Sequence, residues 1–247
     1  MKEPIYDYRI TEYDRSLLPS KFLAFLEESA KDASTWVSRS GRSLGHPGWG
    51  TIYHLVLSSL DPARHNLLVE TGTNLGSTAI IIAQAIADSG RDAVLHTIEI
   101  DAEVHATAVD RFELAGVSEH VVSHLGDSHE VLHRLVAEGV PIRLAFLDGN
   151  HFHDHVVTEF EIVLPLMEPD GLVIFDNTGL ISEHDEDPRV NGALRTILSR
   201  HGGNLINLPF CSWYTPGMAI WQQAPFDMME APGPESFIPN KSSPEPT

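Results

Sequence analysis

VETGTNLGS, residues 69–77, joins a short apolar run, NLLVE (66–70), to a segment of helical length, Ser77–Ser89, whose centre reads AIIIAQAIA. Gly72 and Gly76 let a chain turn tightly and approach a ligand closely. Read in this way, the stretch is the turn between a buried strand and a buried helix, the first unit of a layered α/β fold.

The same alternation repeats downstream. VLHTIEI (94–100), VVSHLG (121–126), IRLAFLDG (142–149) and GLVIFDN (171–177) are short, apolar runs, as strands covered on both faces should be. Segments of helical length follow each of the first three: Ala102–Ala115, Ser128–Glu138 and His151–Met167. Strands separated by helices at this spacing predict parallel βαβ units in a doubly wound sheet. A last helix over Arg189–His201 leads into NLINLPF and then GMAIWQQ, with a turn signal at Thr215-Pro216-Gly217 between them. The expectation is a Rossmann-like, mostly parallel sheet of seven strands, closed at one edge by an antiparallel hairpin.

On this reading, residues 1–63 form an N-terminal helical extension, with helices over Leu23–Ser38 and Trp49–Leu60 around the loop SLGHPGWG. Residues 64–223 form the main domain. Residues 224–247, rich in Pro, Ser and Glu, read as a disordered tail. The formal net charge of −19, with 16 Lys and Arg scattered along the chain, argues against a nucleic-acid partner. No apolar run approaches the roughly 20 residues that span a bilayer, and the polar N-terminus does not read as a signal peptide. The one cysteine, Cys211, excludes an intramolecular disulfide and fits a reducing compartment. A cytoplasmic homo-oligomer acting on a small molecule is expected.

In a doubly wound sheet, ligands bind beyond the carboxyl ends of the strands. Those ends read Glu70-Thr71-Gly72, Glu99-Ile100-Asp101, Gly126-Asp127-Ser128, Asp148-Gly149-Asn150-His151 and Asp176-Asn177. Acidic side chains therefore crowd one edge, and such crowding costs stability unless cations or hydrogen bonds offset it. Glycines spaced GxxxG do not make the GxGxxG cradle for a pyrophosphate. An acid before the loop suits a cationic ligand. That spacing counts against the competing reading, a nicotinamide-dependent oxidoreductase.

VETGTNLGST resembles motif I of class I S-adenosylmethionine-dependent methyltransferases, and the similarity extends over about residues 64–223. The resemblance implies S-adenosylmethionine as cofactor, contacted from the loop by Glu70, Gly72, Thr73, Asn74, Gly76 and Ser77. It implies Glu99 as the ribose-binding acid, with Asp101 left to cap the next helix. It also implies that Asp127 and Ser128 lie at the adenine. Asp148, Asp176 and Asn177 are similar, in strand order and residue type, to the magnesium ligands of catechol-type O-methyltransferases. Oxygen donors of this kind suit a hard cation, Mg²⁺ first. In the catechol type a lysine stands three residues after the first Asp. Here it is His151, and the DxxH pattern resembles macrocin-type sugar O-methyltransferases, which implies His151 as general base beside Asp148 and a hydroxyl on a sugar or natural-product scaffold as acceptor.

Plainer readings of the same residues stand beside these. Asp-Asn after a strand is common turn chemistry, and the chain has 14 histidines. His151 and His155, four apart, would share a helix face as zinc ligands do, although their neighbours are carboxylates and an amide. Trp49, Tyr53 and His54 read as acceptor pocket or as plain helix core. His46, the SEHDED run (182–187), Phe210, Trp213 and Tyr214 read as mouth-of-site loops or edge packing. A metal-independent methyltransferase and a non-catalytic binding module on the same fold complete the alternatives.

Overall fold

Strict alternation along the strands builds two cores. In a strand, successive side chains point to opposite faces. Leu68, Leu144, Phe146 and Ile174 accordingly join one cluster, and Leu67, Val69, Ala145, Leu147, Val173 and Phe175 the other. Both clusters are buried, so the central strands are apolar on both sides and need helices on both sides.

The computed structural model describes residues 48–178, 189–208 and 217–223, the side chain of Trp49 excepted. The expected helix at Leu23–Ser38, His46 and its loop, the SEHDED run, Phe210, Cys211, Trp213, Tyr214 and residues 224–247 lie outside these. The described elements run α1 (Gly48–Ser59), β1 (Asn66–Thr71), α2 (Ser77–Ser89), β2 (Ala93–Glu99), α3 (Ala102–Ala115), β3 (Val121–Leu125) and α4 (Ser128–Ala137). They continue with β4 (Ile142–Leu147), α5 (His153–Val163), β5 (Met167–Asp176), α6 (Arg189–His201), β6 (Asn204–Leu208) and β7 (Met218–Gln222).

The sheet has seven strands in the order β3-β2-β1-β4-β5-β7-β6. β1 to β5 are parallel, and β7 runs antiparallel between β5 and β6. Helices α1, α2 and α3 supply the first core with Ile52, Val56, Ile80, Ile82 and Phe112; α4, α5 and α6 supply the second with Leu132, Phe160 and Leu194. Trp221, on β7, is buried edge-on to Phe160 at 4.9 Å and donates from its indole N–H to the carbonyl of Gly202 at 2.9 Å. Among the described residues no helix is long and apolar enough to cross a membrane.

Two boundaries differ from the expectation. α5 starts at His153 and ends at Val163, followed by a short 3₁₀ turn over Leu164–Leu166, so His151 precedes the helix. Pro165, at the start of that turn, lacks the N–H that would continue the ladder. β5 starts at Met167, four residues early. Its register against β4 jumps from Ile142↔Met167 to Leu144↔Leu172, and the intervening Pro169 and Asp170 are exposed in that irregularity. A bulge is where a strand tolerates proline.

The strand order reverses between β1 and β4, and there the packing is closest. Gly72, at φ 79°, leaves β1 with its α-carbon against the end of β4: a methyl group there would meet the Asp148 carbonyl oxygen at 2.1 Å. Gly90 caps α2 at φ 62° with nothing within 4 Å of such a methyl. Gly72→Ala is expected to cost about 2–4 kcal/mol of unfolding free energy, through positive φ and overpacking together. Gly90→Ala is expected to cost only about 1 kcal/mol, through φ alone. Urea unfolding of the two variants measures the difference, and equal costs would show that β1 and β4 are free to part.

Candidate functional site

Because β1 to β5 are parallel, their carboxyl ends share one edge, and a cavity of about 700 Å³ opens there. Its wall takes residues from all five strand ends, from Gly72 and Asn74 to Asp176 and Asn177. The sequence thus brings to one cavity Gly72, Asn74, Glu99, Asp127, Ser128, Asp148, His151, Asp176 and Asn177.

Glu70, Thr73, Gly76 and Ser77 stand behind that wall. Glu70 is 1% exposed and accepts a hydrogen bond from the Thr97 hydroxyl, which lies 2.5 Å from the Thr73 hydroxyl. This chain fastens the loop after β1 to β2. Burial pushes the Glu70 carboxyl up to about 8, with the charges of Asp148 and Glu99 adding to the rise and Thr97 opposing it. Gly76, at φ 75°, sits where a side chain would strike the Phe112 ring, and Ser77 opens α2.

Glu99 and Asp101 divide their work. Asp101 caps α3, its carboxylate accepting from the amides of Glu103 and Val104 at 2.9 and 3.0 Å. Glu99 accepts from the amide of Asn74 at 2.7 Å through Oε2 and from that of Asp101 at 2.9 Å through Oε1. Two backbone amides therefore aim a carboxylate at the cavity, and Asn74 holds its own place at φ 49°, which asparagine tolerates. Asp127 caps α4 with Oδ1, which accepts from His129 and Glu130.

At the other end of the cavity Asp148, His151, Asp176 and Asn177 form one cluster. The amide of Asp148 donates to the Thr71 carbonyl at 3.2 Å, tying β4 to β1 at the rim. Its carboxyl is pushed well up, by burial first and then by the charge of Glu159, while a hydrogen bond with Asp176 opposes the rise. His151 brings Nε2 to 3.2 Å from Asp148 Oδ1 and into hydrogen-bonding contact with the Asn177 side-chain amide. Burial lowers its pKa from 6.5, against the raising charges of Asp176 and Glu159, so the ring is neutral at neutral pH. Asn177, at φ 60°, is buried, and its Oδ1 has no hydrogen-bond partner among the described residues. Two carboxylates and an unmatched amide oxygen are oxygen donors of the kind a hard cation takes. These residues fit such an ion.

Other expectations fare differently. His151 and His155 do not share a helix face, because α5 begins between them; His155 Nε2 turns instead to Glu159 at 3.1 Å and Ser128 at 3.2 Å. Tyr53 is core: it is buried and donates to Asp88 at 2.7 Å, while the exposed His54 packs on its ring. Neither lines the cavity.

Sequence reasoning missed Ile100, Val104 and Glu159. Ile100 is 70% exposed at the cavity. It reads as the last apolar residue of a buried run, but β2 stops at Glu99. An apolar residue just past a strand end, beside a ligand-binding acid, is the signal that marks it.

Residues 69–178 match the family model described as "Methyltransferase domain". No curated protein sequence matches the chain. Among solved structures, the fold is similar to the O-methyltransferase TomG of Streptomyces achromogenes, in complex with S-adenosylmethionine, at 23% identity and TM-score 0.64 over 80% of this chain and 88% of that one. It is similar to an O-methyltransferase of Bacillus cereus in complex with S-adenosylhomocysteine, at 20% identity and TM-score 0.66 over 83% and 92%. A methyltransferase of Geobacter sulfurreducens aligns at 17% identity and TM-score 0.54 over 85% and 92%. The oxidoreductase reading gives way to the family match. Over residues 69–178 the chain is similar to this methyltransferase family, and its seven-stranded sheet has the fold of these solved structures.

Proposed function

We propose that the domain transfers a methyl group from S-adenosylmethionine to a hydroxyl of a small molecule. In this reading Mg²⁺ or another hard divalent cation sits at Asp148, Asp176 and Asn177, and His151 accepts the hydroxyl proton. The observation that carries the reading is the single cluster in which His151 Nε2 lies 3.2 Å from Asp148 and against Asn177. That cluster faces the same cavity as Glu99 and Asp127. The Streptomyces achromogenes and Bacillus cereus structures, in complex with S-adenosylmethionine and S-adenosylhomocysteine, are O-methyltransferases by name, which supports oxygen as the acceptor atom.

S-adenosylmethionine supplies an electrophilic methyl group on a sulfonium. The chain's part is to hold the donor. Glu99, with both oxygens steadied by amides, accepts from two ribose hydroxyls. Asp127 accepts from the adenine amine, and exposed Ile100 offers an apolar face to the base. The acidic edge favours a positively charged donor over an anionic one. When bound, a hard divalent cation lowers the pKa of an acceptor hydroxyl and fixes its position. His151, held neutral by burial, takes the proton. The charge of −19 supports an acceptor other than nucleic acid, and the DxxH pattern supports a sugar or natural-product hydroxyl.

Chelation with EDTA is expected to lower kcat at least about 100-fold, with Mg²⁺ restoring it, and Asp176→Asn to reproduce the loss without rescue. Turnover that is indifferent to chelator would sink the cation.

The base must be neutral to act, so activity falls as pH drops through the His151 pKa. Since burial lowers that pKa, the acid limb of kcat/KM is expected below pH 6.5. His151→Ala is expected to remove the limb and to lower kcat by about 10²–10⁴-fold. A limb that persists in the variant assigns the proton to another group.

Glu70, behind the cavity wall, tests the electrostatics of the acidic edge. Its folded carboxyl titrates at about 8 and its unfolded one near 4.5, so the folded state keeps a proton that the unfolded state releases. Stability is therefore lost as pH rises from 4.5 to 8. Glu70→Gln cannot ionise, so its Tm is expected to gain on wild type between pH 5 and pH 8. A constant difference in Tm across that range would show that Glu70 titrates normally.

A further inference from the structure

Beside the cavity, whose wall His155 joins, α4 and α5 bring together three groups that methyl transfer does not use. Glu159 and His155 lie one turn apart on α5, and His129 comes from the first turn of α4. One ligand atom from each can be chosen so that all three lie within 4.8 Å of one another. His155 Nε2 is 3.1 Å from Glu159 Oε1, and the His129 and His155 rings stack at 4.1 Å. Glu159 is 1% exposed. His129 Nε2 is buried with no hydrogen-bond partner among the described residues.

We infer that His129, His155 and Glu159 form a binding site for a borderline transition-metal ion of the Zn²⁺ class, separate from the oxygen donors at Asp148, Asp176 and Asn177. Two imidazoles and one carboxylate are a donor set that such ions take with three protein ligands and an open fourth position. Nitrogen donors distinguish the site from the neighbouring oxygen set, which suits a hard ion. In a tetrahedral zinc site, donor atoms stand about 3.4 Å apart, given metal–nitrogen bonds near 2.0–2.1 Å. Reaching that separation requires the two stacked rings to turn so that their nitrogens converge on the ion. Glu159 is already met by the Thr71 hydroxyl at 3.0 Å on Oε2 and by His155 on Oε1, whereas the unmatched His129 nitrogen is a group whose burial costs free energy until a partner offsets it. A cation supplies that partner.

Of the three residues, His155 reaches the cavity. Ser128 opens α4, lines the cavity and holds its hydroxyl 3.2 Å from His155 Nε2. An ion that engages His155 takes this nitrogen from Ser128 and ties the start of α4 to α5. The site does not depend on the methyl-transfer reading, since the two helices define it alone.

Co²⁺ titration of the tag-free, chelator-treated full chain tests the inference by its visible spectrum. Expected is one ion per chain with the intense absorption of four-coordinate Co²⁺, displaced by Zn²⁺ and unaffected by excess Mg²⁺. His129→Ala, His155→Ala and the more conservative His129→Gln, each checked for fold by far-ultraviolet circular dichroism, are expected to weaken Co²⁺ binding at least about 100-fold, more than the loss of a mere supporting hydrogen bond costs. Asp148→Asn is expected to leave the spectrum in place. The inference is overturned by wild-type protein that shows no four-coordinate signal. A signal that survives in folded His129 variants, or one that vanishes in Asp148→Asn, overturns it equally.

Discussion

One contact without a side chain holds the site together. At the point where the strand order reverses, Gly72 packs on the carbonyl of Asp148, so that the end of β1 and the end of β4 cannot be farther apart than two backbones. The Asp148 amide completes the join by donating to Thr71. Two consequences follow. The loop after β1 and the acid at the end of β4 are fixed to one another directly. And the distance between them is set by covalent geometry and van der Waals radii, the least adjustable quantities in the fold. In-line methyl transfer needs three atoms aligned, and alignment is worth most when its frame does not yield.

That rigidity makes charge unavoidable. Parallel strands end at one edge, and here nearly every end carries an acid. Burial pushes the carboxyls of Glu70 and Asp148 above the usual carboxylate range, with the charge of Asp148 adding to the rise at Glu70 and that of Glu159 at Asp148. Glu99 and Asp127 are met instead by backbone amides near helix starts. The edge is therefore of two kinds: acids met by backbone amides, and acids whose burial favours the protonated carboxyl.

How much of this could be read beforehand depends on range. Whatever rests on neighbours in sequence was legible. The buried runs have the right period, and Asp101 was separable from Glu99 because a cap is a local matter of amides two and three residues on. Asp148, Asp176 and Asn177 converge because strand ends in a parallel sheet must. What rests on neighbours in space was not legible. Glu70 stands at a strand end like the others, yet its carboxyl turns inward because Thr97 on the adjoining strand receives it. The start of β5 was hidden by Pro169, which only a bulge opposite β4 makes acceptable. Tyr53 is core because Asp88 meets its hydroxyl. His129 and Glu159 lie 30 residues apart on two helices whose facing sides no periodicity reveals.

The start of α5 decides what the histidines do. HFHDH offers three at alternate positions, and a helix begun at His151 would align His151 with His155. Instead Asn150 Oδ1 accepts from the Phe152 amide at 3.0 Å, a local turn that holds the chain out of the helix until His153. His151 is thereby left at the rim with Asp148 and Asn177, while His155 goes inward to Glu159. His153, between them, turns away to Thr196 on α6. Three identical side chains in five residues thus enter three different environments. The polar one keeps a neutral imidazole among oxygen donors, the inner one joins a second imidazole and a buried carboxylate, and the outer one fastens two helices. Had the turn at Asn150 been absent, the two donor sets would draw on the same histidines. Hard and borderline ions would then compete for one site, because nothing but the position of each ring separates oxygen-rich from nitrogen-rich surroundings.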